Sequence, residues 1–179
     1  MKRLYFTRHA EQQRRTGGRS TDTNSAALTE IGTWHATAAG LDAQTRGLEF
    51  DLIMSSPLPH AFHTARIIAE ELDYNPKRIE TSDLLLGFGW SRPQQHTPGH
   101  IVTPTQELHF QPDSADAKAT LTARTAKILE HLLERPEEAI LLVGHSAFGQ
   151  ALQQLLGKEN ASQDYRDNEL PHARILQLL

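Results

Sequence analysis

A chain of 179 residues is the size of one ordinary domain and can bury a full core, so residues 1–179 are expected to form a single unit. With 22 acidic side chains against 18 basic ones, a net charge of -4 and a pI near 6.2, the chain lacks the basic surface that holds a nucleic-acid backbone; a small anionic ligand fits better. Cysteine is absent, which excludes disulfides, a thiolate nucleophile and a cysteine-based zinc site.

In chain order, Lys2 to Thr7 read as a first strand. The basic start Met1-Lys2-Arg3 is followed by only three apolar residues before Thr7 and Arg8, too few for a secretion signal, and no run is long enough for a membrane helix, so a cytoplasmic location is expected. The strand ends in Arg8-His9-Ala10-Glu11, and the stretch to Asn24 is a polar loop with Arg14, Arg15 and Arg19. That loop reads either as a solvated surface segment or as an electropositive rim, with Arg14 a candidate phosphate-binding residue.

A helix is predicted from Thr29, its N-cap, to about Arg46, with Gly47 as the stop and Ile31, Trp34, Ala38 and Leu41 facing the sheet. Phe50 to Ser55 is the second strand. Pro59 then opens a helix whose apolar face is Phe62, Ala65, Ile68 and Leu72. Its first turns carry His60 and His63, three apart; His60, nearest the helix N-terminus, is placed to bond an anion. No further ligands are spaced with this pair, so no metal is expected.

Arg78 to Ser82 is a short third strand, and Ser91 to Asp113, with four prolines and three histidines, is a long loop and a candidate lid. Pro98 argues against His96 and His100 sharing a helix. A helix follows from Ser114 or Asp116 to Leu133, with Leu121, Ile128 and Leu132 on one face. Ala139 to Val143 is an apolar run of the kind found in central parallel strands, and it ends in Gly144-His145-Ser146. Ser146 is the expected cap of a helix through Phe148, Leu152, Leu155 and Leu156, and Arg174 to Leu179 close the sheet.

Two buried strands thus end in histidines, His9 and His145. In one parallel sheet their tips share an edge, so both imidazoles can converge on one ligand. With Arg8 alongside, the natural guest is a phosphoryl group: one neutral imidazole nitrogen attacks phosphorus while the other histidine and the arginine hold the charge that builds on the equatorial oxygens. No metal or other cofactor is required for that chemistry.

Leu4 to Glu11, Leu28 to Gly32, Asp51 to Ala65 with its core Ser55-Ser56-Pro57-Leu58, and Val143 to Ser146 resemble, in this order, the blocks of the histidine phosphatase superfamily, also called phosphoglycerate-mutase-like. The resemblance spans nearly the whole chain. It implies an α/β fold, a three-layer sandwich with a mainly parallel sheet flanked by helices. It also implies that His9 becomes phosphorylated, Arg8 clamps the phosphate and His145 is the second clamp histidine, with Ser146 beside it. Size and the lack of mutase insertions resemble the SixA-type phosphohistidine phosphatases, so the expected partner is a phosphohistidine protein or a phosphorylated small molecule.

Three positions depart from the family pattern. Ala10 replaces a glycine. His60 stands where a second clamp arginine is expected, which replaces a permanent cation by one charged only below its pKa. Leu84-Leu85-Leu86-Gly87 stand where a glutamate proton donor is expected before Phe88-Gly89, so Glu11, a lid residue such as Glu107, or His60 is left as substitute. Phosphohistidine takes a proton on its own second ring nitrogen before leaving and so needs no such donor. Mutase activity is not expected. The competing reading is a degenerate domain that binds phosphorylated ligands without turnover.

Overall fold

The computed structural model describes residues 1–13, 27–87, 90–91, 109–110, 115–158 and 170–179. The apolar runs of the sequence form the main sheet: β1 (Arg3–Arg8), β2 (Leu52–Ser55), β3 (Glu80–Thr81), β6 (Ala139–Gly144) and β7 (Leu176–Gln177), in the spatial order β3-β2-β6-β1-β7. β6 is central and buried at every residue, as its unbroken apolar run requires. It pairs in parallel with β1 on one side and β2 on the other, Arg8 opposite Gly144 and Ser55 opposite Val143. Within this sheet, among the described residues, only β7 runs against its neighbour, pairing Phe6 with Leu176. The strands β4 (Trp90–Ser91) and β5 (His109–Phe110) make a separate antiparallel pair.

Alternate residues of each strand face opposite ways, and this divides the core in two. Leu4, Phe6, Leu52, Met54, Ile140 and Leu142 pack with Leu121, Ile128 and Leu132 of α3 (Ala115–Glu134) and Phe148 and Leu152 of α4 (Ser146–Leu155). Tyr5, Ile53, Leu141 and Val143 pack with Ala36, Ala39 and Ala43 of α1 (Glu30–Thr45) and Ala65 and Ile68 of α2 (Pro59–Glu71). Helices therefore cover both faces of the sheet. Truncating a fully buried member of either cluster, such as Phe6 or Ile68, to alanine costs roughly 2–5 kcal/mol.

The N-cap and stop of α1 are as predicted: Thr29 Oγ1 accepts the Gly32 amide at 2.8 Å, and Gly47 sits at φ 63°. Its buried face is not. Gly32, Ala36, Ala39, Gly40 and Ala43 point inward, while Ile31, Trp34 and Leu41 are 57%, 70% and 46% exposed. The reason is close approach: a side chain at Gly32 would overlap the Glu11 carbonyl, and one at Gly40 would meet Glu71, so only small residues fit. On α2 the buried set is His60, Ala61, Thr64, Ala65 and Ile67 to Ala69, with Phe62 and Leu72 only partly covered. In α4, Leu155 is exposed, and His145 is the N-cap residue, with Ser146 the first residue inside the helix. The expected loop from Ser91 to Asp113 has β5 near its end, where His109 pairs with Ser91; the remainder of the candidate lid, with His96, His100 and Glu107, lies outside the described residues.

Candidate active site

His9 is the first residue past β1, and its amide still donates to Gly144 O at 2.8 Å, so β6 fixes its position. Its Nδ1 lies 2.8 Å from Ala10 O. A carbonyl only accepts, so Nδ1 carries the proton and a neutral His9 keeps its lone pair on Nε2. Two further bonds hold this corner: His172 Nδ1 donates to His9 O at 2.7 Å, and the Ala10 amide donates to Thr64 Oγ1 at 2.9 Å.

His145 occupies the equivalent place after β6. Its Nε2 is hydrogen-bonded to Ser56 Oγ at 3.0 Å, and the Ser56 amide donates to Val143 O at 2.9 Å, so the tip of β2 steadies the ring at the tip of β6. Gly87 lies against the imidazole, where an added Cβ would stand 3.1 Å from His145 Cγ. His60 reaches the same point from α2, because Pro59 starts that helix and puts residue 60 in its first turn. The ring centroids of His9 and His60 are 4.3 Å apart, those of His9 and His145 5.1 Å, and those of His60 and His145 5.4 Å. One donor nitrogen from each of the three lies within 4.8 Å of the others, a spacing that suits one small guest, whether a tetrahedral anion or an ion held by imidazoles.

Burial controls the charge of this cluster. It holds the His60 imidazole down at about 4, and it pushes His9 and His145 well below the usual range, with the mutual repulsion of the three rings adding to it. All three are neutral at pH 7 in the free protein. Among the described residues, the guanidinium of Arg8 acts on both His9 and His145, that of Arg124 acts on His145, and His172 acts on His9.

The residues expected at the site divide accordingly. His9, His60 and His145 come together. Arg8 adjoins them, with its guanidinium donating to Leu170 O at 2.8 Å. Ser146 is buried, but its hydroxyl accepts from the Leu170 amide at 2.8 Å and from Gln150 at 3.3 Å, so it anchors the segment before β7. Arg14 lies outside the described residues. His63 is half-buried and apart from the trio. Glu11, one substitute for the absent glutamate, accepts from Thr29 Oγ1 at 2.9 Å, which ties it to the α1 cap.

Sequence reasoning missed four supporting residues. Ser56 and Thr64 lay inside a recognised block without an assigned role. Arg124 donates to the carbonyls of Asp83, Leu86 and Gly87 at 2.9–3.2 Å and so pins the segment that touches His145; burial lowers it to about 10, which leaves it charged. Its signal was a cation at helical spacing within the apolar stripe Leu121, Ile128 and Leu132. His172 carried no signal beyond its nearness to the last strand.

A histidine stands at each of two adjacent parallel strand tips of an α/β fold, with an arginine beside the first. Residues 4–178 match the histidine phosphatase superfamily (branch 1), and the chain belongs to that family. Among solved structures it is similar to a mycobacterial glucosyl-3-phosphoglycerate phosphatase, at 19% identity and a TM-score of 0.65 over 98% of this chain and 89% of that one. A phosphoserine phosphatase from Entamoeba histolytica is similar to the same degree, at 22% identity and a TM-score of 0.65 over 99% and 90%. No curated protein sequence matches it.

Proposed function

We propose that the protein is a phosphatase working through a phosphohistidine on His9. The observation that carries this reading is the His9 corner: Nδ1–H is committed to Ala10 O, which leaves the Nε2 lone pair free on a ring whose centroid is 5.1 Å from that of His145. Nε2 attacks phosphorus and forms the N–P bond while the bond to the leaving group breaks, its electron pair departing with that group. Water then attacks the phosphohistidine, its oxygen forming the new P–O bond as the N–P bond breaks and its electrons return to Nε2; both water protons leave with the phosphate, which releases one to solvent at neutral pH. Arg8, with His145 and His60 once the bound anion has drawn protons onto them, balances the charge on the equatorial oxygens. No metal enters these steps.

The segment Leu84 to Gly87 supplies no carboxylate to protonate a departing alkoxide. Substrates that leave readily suit this site: phosphohistidine of a SixA-type reaction, which carries its own proton, or an activated phosphate on a small metabolite. The similar structures named for glucosyl-3-phosphoglycerate and phosphoserine support the small-metabolite arm. The lack of a carboxylate in that segment, with a histidine and not an arginine at position 60, favours a second reading, a domain that holds phosphorylated ligands and does not turn them over.

Rapid quench of the chelator-treated protein with a labelled phosphodonor decides between them. An acid-labile, base-stable phosphoenzyme that is missing in His9→Ala supports the phosphatase. Phosphate binding without any label from phosphohistidine protein, acyl phosphate or aryl phosphate supports the binding domain.

A further inference from the structure

We propose that His9, His60 and His145 form a three-histidine site for a divalent transition metal, Zn2+ in particular, at the point where the phosphoryl group would otherwise sit. The three imidazoles come from three separate elements, the end of β1, the first turn of α2 and the β6–α4 junction, and their donor nitrogens already lie within 4.8 Å of one another. A tetrahedral zinc with Zn–N near 2.0–2.1 Å needs nitrogens about 3.4 Å apart, a gap that small side-chain rotations close.

The surroundings suit ligation. The His9 ring donates Nδ1–H to a backbone carbonyl, the outer bond that metal-bound histidines ordinarily make, and so presents Nε2. His145 is steadied by Ser56. His60 is 3% exposed, and its Nδ1 is buried without a hydrogen-bond partner, so this ring has binding capacity that the protein itself does not use. An all-imidazole set selects zinc, cobalt, nickel or copper over magnesium and calcium, which take oxygen. Three protein ligands leave the fourth position open to water or an anion.

The set depends on a histidine at position 60, since an arginine there could not ligate through its guanidinium. Where the site also works as the phosphatase proposed above, metal on Nε2 of His9 takes the nucleophile's lone pair, and zinc and phosphoryl transfer exclude one another.

Chelator-stripped protein titrated with Co2+ tests the site without any substrate. One equivalent giving the intense visible band of four-coordinate cobalt, displaced by Zn2+ and weakened at least 100-fold in His60→Gln, supports it. No band in the parent protein, or equal binding by His60→Gln, overturns it. Should that variant not fold, imidazole nitrogen NMR of the parent decides: Zn2+ must shift three rings together, and shifts confined to the outlying His35, His63 or His131 overturn the site. Phosphoenzyme labelling of the stripped protein is read separately. Labelling without cobalt binding removes the metal site and leaves the phosphatase, and cobalt binding without labelling does the reverse.

Discussion

Thr64 holds Ala10: the amide following His9 donates to the Thr64 hydroxyl at 2.9 Å, and that hydroxyl donates in turn to the His60 carbonyl at 2.7 Å. One buried side chain thus joins the end of β1 to the first turn of α2 and sets the spacing of two site histidines. Thr64→Val keeps the shape and removes the acceptor, leaving the Ala10 amide buried and unsatisfied. The expected cost is about 1–3 kcal/mol in urea unfolding, together with slower phosphorylation of His9. Unchanged stability and labelling would show that the bond does not register the two elements.

In metal-free protein, His60→Arg places a permanent cation where the parent has a neutral imidazole. Sulfate, whose own charge is constant over the range, should bind the parent less tightly as pH rises from 5 to 8, by up to about tenfold per unit for each proton taken up with the anion. The variant should bind more tightly at pH 8 and with a flatter profile. Calorimetry checks this; parallel profiles would remove His60 from the anion's contacts.

Stability should fall on acidification. The unfolded chain takes up a proton on His60 below about pH 6.5, whereas the folded protein resists until about 4. The His60 contribution is therefore complete above pH 6.5 and is lost as pH falls towards 4, by about 3 kcal/mol in all; His9 and His145 act in the same direction. Urea unfolding at pH 7 and 4.5 should show a larger loss for the parent than for His60→Gln. Equal losses would mean that the imidazole is not shielded from protons.

Gly87→Ala sets a methyl 3.1 Å from His145 Cγ, so the ring must give by a few tenths of an ångström. Phosphorylation should slow by about tenfold, since misplaced catalytic groups lose orientation, with little change in the melting temperature. Normal kinetics would show that the 83–87 segment does not position His145.

Arg124→Met removes three donors from the carbonyls of Asp83, Leu86 and Gly87. We expect a loss of about 2–4 kcal/mol and faster amide exchange at residues 83–87. A variant with normal exchange there would show that the segment holds its shape unaided.

What the sequence disclosed depended on whether a feature leaves a local mark. The apolar run of β6, the Thr29 cap and the turn at Gly47 do, and the convergence of His9 and His145 followed from two parallel strands ending on one sheet edge. The inward face of α1 did not. Ile31, Trp34 and Leu41 make the stronger periodic pattern, yet helix-to-backbone closeness at Gly32 and Gly40 reserves the sheet side for small residues. His60 was recognisable from its block, but its neutrality comes from burial, and its ligand partners lie far away in the chain. Arg124 and His172 bind carbonyls, and no pattern of side chains announces a carbonyl.

β1 lies between β6 and β7, and the His9 carbonyl is held by a residue 163 positions away. The first strand therefore cannot be flanked on both sides until the most distant segments have arrived. Closing such large loops is slow, so refolding kinetics should be limited by late docking of the amino-terminal strand, with the α1–β2–α2 unit assembled beforehand.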